Sequence, residues 1–242
     1  MKLAYYGCSE KGPVREINED VILMRVSEES ALFLVADGIG GKENGEVVSG
    51  MLLDGFTQWW DEDFPEITGS GVFQRSVEGI KEKLQQINRE AVTRFGERSA
   101  GSTIALLFLH GQNCAYLSAG DSRIYRMRGL SMQQVTRDDV YENLPEEEAA
   151  RYSGPTSGKL VGAVGISQAL EYSIRTDIVQ SGDRFFLCSD GVYGYVPPRR
   201  LREILVFGSL LTQPENVVRT IKKEVDRNGA GDNFSLICIR VR

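Results

Sequence analysis

Apolar residues fall mostly into short strand-length runs along this chain, and they recur at helical spacing in four longer stretches. The run from Leu3 to Ser9 reads as a strand, and further strands are expected from Val21 to Val26 and from Leu32 to Ala36. The four polar residues Ser27-Glu28-Glu29-Ser30 between the last two leave room only for a hairpin. From Asn44 the period changes: Val47, Val48, Met51, Leu52 and Phe56 mark a helix running on to Trp59-Trp60. A second stripe, Val77, Ile80, Leu84, Ile87, Ala91 and Phe95, predicts a longer helix that stops at Gly96. Both stripes suit packing against one face of a sheet.

Strand patterns then return at Thr103 to Leu109, Cys114 to Ser118 and Ser122 to Arg128, with connections short enough to force antiparallel neighbours. Thr136 to Ser167 is polar, with Pro145, Pro155 and several glycines and little periodicity beyond Glu146 to Ala150. It reads as a mobile surface segment near the functional site. Strands at Tyr172 to Val179 and Arg184 to Ser189, helices at Pro198 to Phe207 and Pro214 to Val225, and a strand at Phe234 to Val241 complete the pattern. With no long linker, repeat or low-complexity tract, residues 1–242 are expected to form one domain. The predicted fold is α+β, a four-layer α/β/β/α sandwich of two antiparallel sheets flanked by helices.

Composition narrows the functions open to such a fold. The 242 residues are 41% hydrophobic, ample for a large core, and carry a net charge of −6, which gives no footprint for nucleic acid. No apolar run approaches membrane-spanning length, and the first residues lack the apolar core of an export signal; a cytoplasmic protein with no membrane partner is expected. Cys8, Cys114, Cys188 and Cys238 all lie in strand-like runs without a CxxC pair, and read as buried reduced thiols. The single histidine, His110, sits in a predicted turn, so a zinc site of nitrogen and sulfur ligands is excluded.

What remains is carboxylate chemistry. Two apolar strands run straight into Asp-Gly, at Asp37-Gly38 and Asp190-Gly191, while Asn18-Glu19-Asp20 and Asp232-Asn233 also flank apolar strands. Carboxylates at the mouths of strands suit hard cations such as Mg²⁺ or Mn²⁺, and the Gly38 carbonyl is a candidate neutral ligand. Two such ions about 3.5–4 Å apart can share a water, lower its pKa and clamp an in-line displacement at phosphorus. Arg15, just upstream of Glu19-Asp20, offers a guanidinium fork for two phosphate oxygens. Taken singly, an Asp-Gly after a strand is a turn, Gly120-Asp121 a hairpin corner and Arg15 a solvated charge.

The strings Arg15-x-x-Asn18-Glu19-Asp20, Ala36-Asp37-Gly38-Ile39-Gly40-Gly41, Gly101-Ser102-Thr103, Gly120-Asp121-Ser122-Arg123, Ser189-Asp190-Gly191 and Asp232-Asn233 occur in this order over nearly the whole chain. Together they resemble the protein phosphatase 2C family of metal-dependent Ser/Thr protein phosphatases, in its compact bacterial form. The resemblance implies two Mn²⁺ or Mg²⁺ ions bridged by Asp37. Glu19 and the Gly38 carbonyl would serve one side, Asp190 and Asp232 the other, Asp20 would orient metal-bound water, and Arg15 would hold the phosphoryl group. It also implies a third ion shared by Asp121 and Asp190. The expected reaction is hydrolysis of phosphoserine and phosphothreonine by a metal-bridging hydroxide. The partners would be phosphoproteins and an opposing Ser/Thr kinase, and the protein would act as a monomer.

Some positions depart from the family. Ile39 stands where eukaryotic relatives often have a histidine, so leaving-group protonation would fall to metal-bound water. Asp138-Asp139-Val140 replaces the usual Asp-His-Ser, and the flap region that follows is short; both changes are expected to touch substrate recognition more than the metal core. They also leave open a catalytically silent relative that binds phosphoproteins. A phosphodiesterase or nucleotide phosphatase is a third reading, for which the sequence has no glycine-rich phosphate loop. Ser102-Thr103, without histidine or nucleophile elbow, reads as a strand start.

Overall fold

Side-chain alternation decides how the layers stack in the computed structural model, which describes residues 1–40, 44–150 and 159–242. The strands are β1 (Leu3–Glu10), β2 (Asp20–Val26), β3 (Ser30–Ile39), β4 (Gly101–Ser102), β5 (Ile104–His110), β6 (Asn113–Ala119), β7 (Arg123–Arg128), β8 (Ser131–Gln134), β9 (Ser173–Ile178), β10 (Arg184–Cys188) and β11 (Phe234–Val241). One sheet has the order β1-β11-β10-β7-β8 and the other β2-β3-β5-β6-β9, with the short β4 paired to the end of β3. Every pairing is antiparallel.

Along β3, Phe33 and Val35 point toward the other sheet and meet a layer that includes Leu107, Phe185, Leu187 and Ile237. The intervening Leu32, Leu34 and Ala36 turn outward to Leu52, Phe56 and Leu84 of the helices α1 (Gly45–Gln58) and α2 (Val72–Phe95). Both faces of β3 are therefore buried, which is why it reads as a continuous apolar run. The connection after β8 holds the short α3 (Glu146–Ala149), and β10 leads into α4 (Asp190–Tyr193), α5 (Pro198–Glu203), α6 (Ser209–Leu211) and α7 (Pro214–Arg227). Phe186, Cys188 and Leu236 on the outer face of their sheet pack on Val217, Val218 and Ile221 of α7. Three apolar layers between four structural layers make the expected α/β/β/α sandwich. Each fully buried Phe or Leu contributes about 1.5–3 kcal/mol.

The differences from the sequence expectation are local. α1 passes at Trp59 into a π-helical turn, Trp59–Asp63, where Trp59 is buried and Trp60 stacks on Phe64 at 4.8 Å between ring centroids. A second π-helical turn, Ile204–Gly208, ends α5 early. The segment from 136 to 167 is not all mobile surface. Ala163 and Val164 are fully buried, and Val164 exchanges both backbone hydrogen bonds with Ser102 at 2.9 Å. The run Leu160-Val161-Gly162-Ala163-Val164 carried the apolar signal, masked by its glycines and polar surroundings. Residues 151–158 of that segment, and Gly41, lie outside the described residues.

Candidate metal centre

The site lies at the end of the gap between the two sheets where β2 begins and β3 ends. Asp20 and Asp37 are direct cross-strand partners in the β2–β3 register. Asp37 shares the parity of Phe33 and Val35, so it faces the gap just beyond the last inter-sheet apolar side chains. From the opposite sheet, Ser189 follows β10 and donates from Oγ to Asp20 Oδ2 at 2.7 Å, while accepting from the Ser235 N–H at 2.9 Å. One hydroxyl thus fastens the two sheets beneath the carboxylates.

Both Asp-Gly steps are places where backbone meets backbone. A Cβ on Gly38 would lie 2.4 Å from the Gly45 carbonyl carbon, which lets the start of α1 press against the Asp37-Gly38 backbone. A Cβ on Gly191 would lie 1.9 Å from the Asn233 carbonyl oxygen, so Asp190-Gly191 and Asp232-Asn233 are packed together in the same way. Asp190 opens α4, and Asp232 lies two residues before β11.

Several positioning residues were missed at the sequence level. Asn233, only 3% exposed, donates from Nδ2 to the carbonyls of Lys11 (2.8 Å) and Ile17 (2.9 Å) and accepts from the Glu19 N–H (3.0 Å). Its amide shapes the loop that carries Arg15 and Glu19. Thr103 Oγ1 accepts from the Asp37 N–H at 3.0 Å and is bonded to Ser122 Oγ at 2.7 Å, while Ser102 Oγ donates to the Asp37 carbonyl at 3.0 Å. Ser102-Thr103 therefore braces Asp37, a role beyond a strand start. A hydroxyl following Gly, level with the end of the central strand, was the available signal.

The Asp138-Asp139 departure, expected to touch substrate recognition, packs against the corner that carries Asp121. Asp139 accepts from the Gly120 N–H at 2.9 Å and donates its own N–H to the Gly120 carbonyl at 2.9 Å, fixing the corner that presents Asp121. Asp138 pairs with Arg123 at 2.6 Å; the Arg123 guanidinium lies 3.5 Å from the centre of the Tyr193 ring, and the Tyr193 hydroxyl donates to the Asp121 carbonyl at 3.0 Å.

Electrostatically the cluster is unbalanced. Burial, followed by the charges of Asp20 and Asp190, pushes the Asp37 carboxyl well above its ordinary range. Asp20 is pushed up to about 6, first by burial, against the opposing hydrogen bond from Ser189. Asp121 is likewise pushed up to about 6 by burial and by Asp190, and Asp190 and Glu19 are raised too, each chiefly by burial. Arg15 forms an ion pair at 2.8 Å with Asp232 at the exposed rim. Asp20 Oδ1 and Asp190 Oδ1 are sealed from solvent with no hydrogen-bond partner among the described residues. Buried, unpartnered carboxylate oxygens are costly, and a hard divalent cation is the partner that an all-oxygen donor set calls for. Among the described residues no three His, Cys, Asp or Glu side chains converge closely enough to hold a metal ion as they stand, so binding would require these carboxylates to draw together. His110 lies at the far end of β5, bonded to Ser30 Oγ at 2.7 Å, and takes no part.

Such a sandwich, with oxygen donors crowded at the mouth of its central gap, defines a class: hydrolases that act through divalent cations. The profile of the family described as protein phosphatase 2C matches residues 14–225, and the chain belongs to that family. Among its relatives, a putative protein phosphatase of Mycoplasma pneumoniae is 29% identical over 251 residues, covering 97% of this chain and 94% of the relative. The serine/threonine phosphatase Stp of Listeria innocua is 25% identical over 96% of this chain and 93% of its own length. PppA, a key regulatory component of T6SS in Pseudomonas aeruginosa, has a solved structure that superposes with a TM-score of 0.81 at 30% identity over 100% of this chain and 99% of that one. The catalytic domain of the phosphatase PstP, solved with two manganese ions, shares the fold with a TM-score of 0.78 at 23% identity over 99% of both chains.

Proposed function

We propose that this protein is a metal-dependent protein serine/threonine phosphatase whose site is built by Arg15, Glu19, Asp20, Asp37, Gly38, Asp121, Asp190 and Asp232 on a single catalytic domain, residues 1–242. The observation that carries the reading is the mutually repelling group of buried Asp20 and partly buried Asp37 and Asp190, with orphaned oxygens on Asp20 and Asp190, together with family membership. Asp37, Asp190 and Asp232 with the Gly38 carbonyl and Glu19 would hold two ions, Mn²⁺ or Mg²⁺, and Asp121 with Asp190 a third. When bound, such ions supply a water of lowered pKa and neutralise charge on the phosphoryl oxygens.

The chain's own groups do the rest. Arg15, nearly half exposed at the rim, is placed to exchange its Asp232 partner for phosphoryl oxygens and align the ester for in-line attack. Asp20, fixed by Ser189, accepts a hydrogen bond from the attacking water and aims it. Water is the nucleophile in this reading because the local hydroxyl residues Ser102, Thr103, Ser122 and Ser189 are buried beneath the carboxylates, where a phosphoryl group has no access, and are bonded there to one another, to the Asp37 carbonyl and to Asp20. Cys188 is fully buried. Water oxygen bonds to phosphorus, the bond to the Ser or Thr oxygen breaks, and a proton passes to the released hydroxyl. Ile39, in the position where some relatives have histidine, has no proton to give, so that proton would come from a water held at the site.

In this reading the substrates are phosphoproteins made by a Ser/Thr kinase, met by a monomer in the cytoplasm of a bacterium. No helix among the described residues is long and apolar enough to cross a membrane. The intact donor set speaks against a silent binding relative. A single-turnover reaction on a phosphothreonine peptide in ¹⁸O-labelled water tests the mechanism. One labelled oxygen in the phosphate, with no phosphorylated protein trapped by acid quench, is expected. A phosphoenzyme would refute direct attack.

A further inference from the structure

The loop that carries Arg15 also carries two large apolar side chains that the core does not use. Val14 is 65% exposed and Ile17 47% exposed, and neither joins any of the three apolar layers. Single exposed aliphatic residues are ordinary on a protein surface. These two stand one residue before and two residues after the phosphate clamp, so their Cα atoms lie within about 4–8 Å of that of Arg15.

The loop holds them in place. Asn233 Nδ2 donates to the carbonyls of Lys11 and Ile17 at 2.8 and 2.9 Å, one before Val14 and Arg15 and one after them. Gly12, at φ +72°, presses on the Asp232 backbone, where a Cβ would lie 2.7 Å from the Asp232 carbonyl oxygen. Apolar side chains presented on a pinned loop lower the ordering cost of whatever binds them. The charge next to Arg15 is acidic, since exposed Glu16 lies between it and Ile17 and Asp232 pairs with it from across the rim. A peptide whose phosphorylated residue is held at Arg15 brings its own neighbouring residues within the same reach, because successive Cα atoms are about 3.8 Å apart.

We propose that Val14 and Ile17 are specificity-determining residues, an apolar lip on either side of Arg15 that takes up the aliphatic side chains next to the phosphorylated Ser or Thr. The inference rests on the phosphatase reading above, with Arg15 on the phosphoryl group. It sets the substrate class: phosphopeptides with Leu, Ile, Val or Met beside the phosphosite are preferred, glycine-flanked ones are poorer, and acidic flanks, which Glu16 repels, are poorest.

The test compares three phosphothreonine peptides that differ only in carrying Leu, Gly or Asp on both sides of the phosphosite, with the wild type, Val14→Ser, Ile17→Ser and the double variant, all in Mn²⁺. Wild-type kcat/KM should favour Leu over Gly flanks by about 5- to 20-fold, below the range of an enclosed apolar pocket because a lip is open on one side. The difference should lie in KM, and in the double variant the ratio should fall to about twofold or less. Both side chains are exposed, so the variants should melt with the wild type, and a lost ratio then reports recognition rather than folding. A ratio that survives both substitutions, a wild type that takes the three peptides equally or favours Asp flanks, or a loss in the variants that is equal for all three peptides would overturn the proposal. Those results leave the phosphatase reading standing, which wild-type turnover of p-nitrophenyl phosphate in Mn²⁺ checks separately; no turnover of it or of any peptide would overturn that reading and the proposal with it.

Discussion

Replacing Asn233 by alanine isolates the amide that holds the Arg15–Glu19 loop. The change deletes three hydrogen bonds, two donated to the carbonyls of Lys11 and Ile17 and one accepted from the Glu19 N–H. It leaves those backbone groups partly buried without their partner. At about 1 kcal/mol for each bond, with more for any group that stays unsatisfied, the expected cost is about 2–4 kcal/mol. For a chain of this size each kcal/mol moves the melting temperature by about 2–4 °C, so a drop of roughly 5–15 °C is expected. Melting followed by circular dichroism in chelator measures this without contributions from bound ions. Mn²⁺-dependent kcat/KM should fall as well, because the loop carries both the phosphate clamp and Glu19. Asn233→Asp, which keeps the acceptor but loses the donors and adds a charge beside Asp232, should recover little. A variant that melts with the wild type and turns over normally would refute the clasp.

Three further outcomes follow from the site. Thr103→Val keeps the shape of the side chain but removes the oxygen between the Asp37 N–H and Ser122, and should cost about 1–3 kcal/mol in melting experiments together with a lower Mn²⁺ affinity in calorimetry; unchanged values would show that Asp37 needs no brace. Asp121 titrates near 6 in the folded protein against an ordinary 3.8, so the folded state keeps a proton that the unfolded chain gives up. Chelated protein should therefore lose stability as pH rises from about 4 through about 6, Asp121→Asn should flatten that slope in urea titrations, and an unaltered slope would refute the assignment. Arg15→Ala should lower kcat/KM on a phosphopeptide by about 1.5–3 kcal/mol, roughly 10- to 150-fold, with Arg15→Lys in between, and a change within about twofold would remove Arg15 from phosphate binding.

What the sequence disclosed and what it hid separate along a physical line. Periods of two and of 3.6 report which face of an element is apolar, and they sufficed for α1, α2, α7 and most strands, hence for the layered fold. The short β8, Ser131–Gln134, has too few apolar positions to register, and the π-helical turns after α1 and α5 keep the apolar content of a helix while shifting its hydrogen bonding. The carboxylates were legible because each lies near a strand end within two residues of a Gly or an Asn. Their supports were not, because Ser189 reaches Asp20 across the inter-sheet gap over 169 positions in sequence, and Asn233 reaches Lys11 over 222. Only the stacking of one sheet on the other brings those pairs together. Asp139 shows the same limit, since its partner Gly120 is visible only once the β6–β7 corner is placed.

The central claim is that crowded carboxylates around Asp37 act through divalent cations on a phosphorylated Ser or Thr. Its most direct measurement is phosphate release from a phosphothreonine peptide by purified wild type and Asp37→Asn, with Mn²⁺ and with chelator. Turnover by the wild type that needs Mn²⁺ and is lost in Asp37→Asn, while the variant folds and melts above the wild type in chelator, is the predicted result. Undiminished turnover in chelator, or an Asp37→Asn protein as active as the wild type, would contradict it.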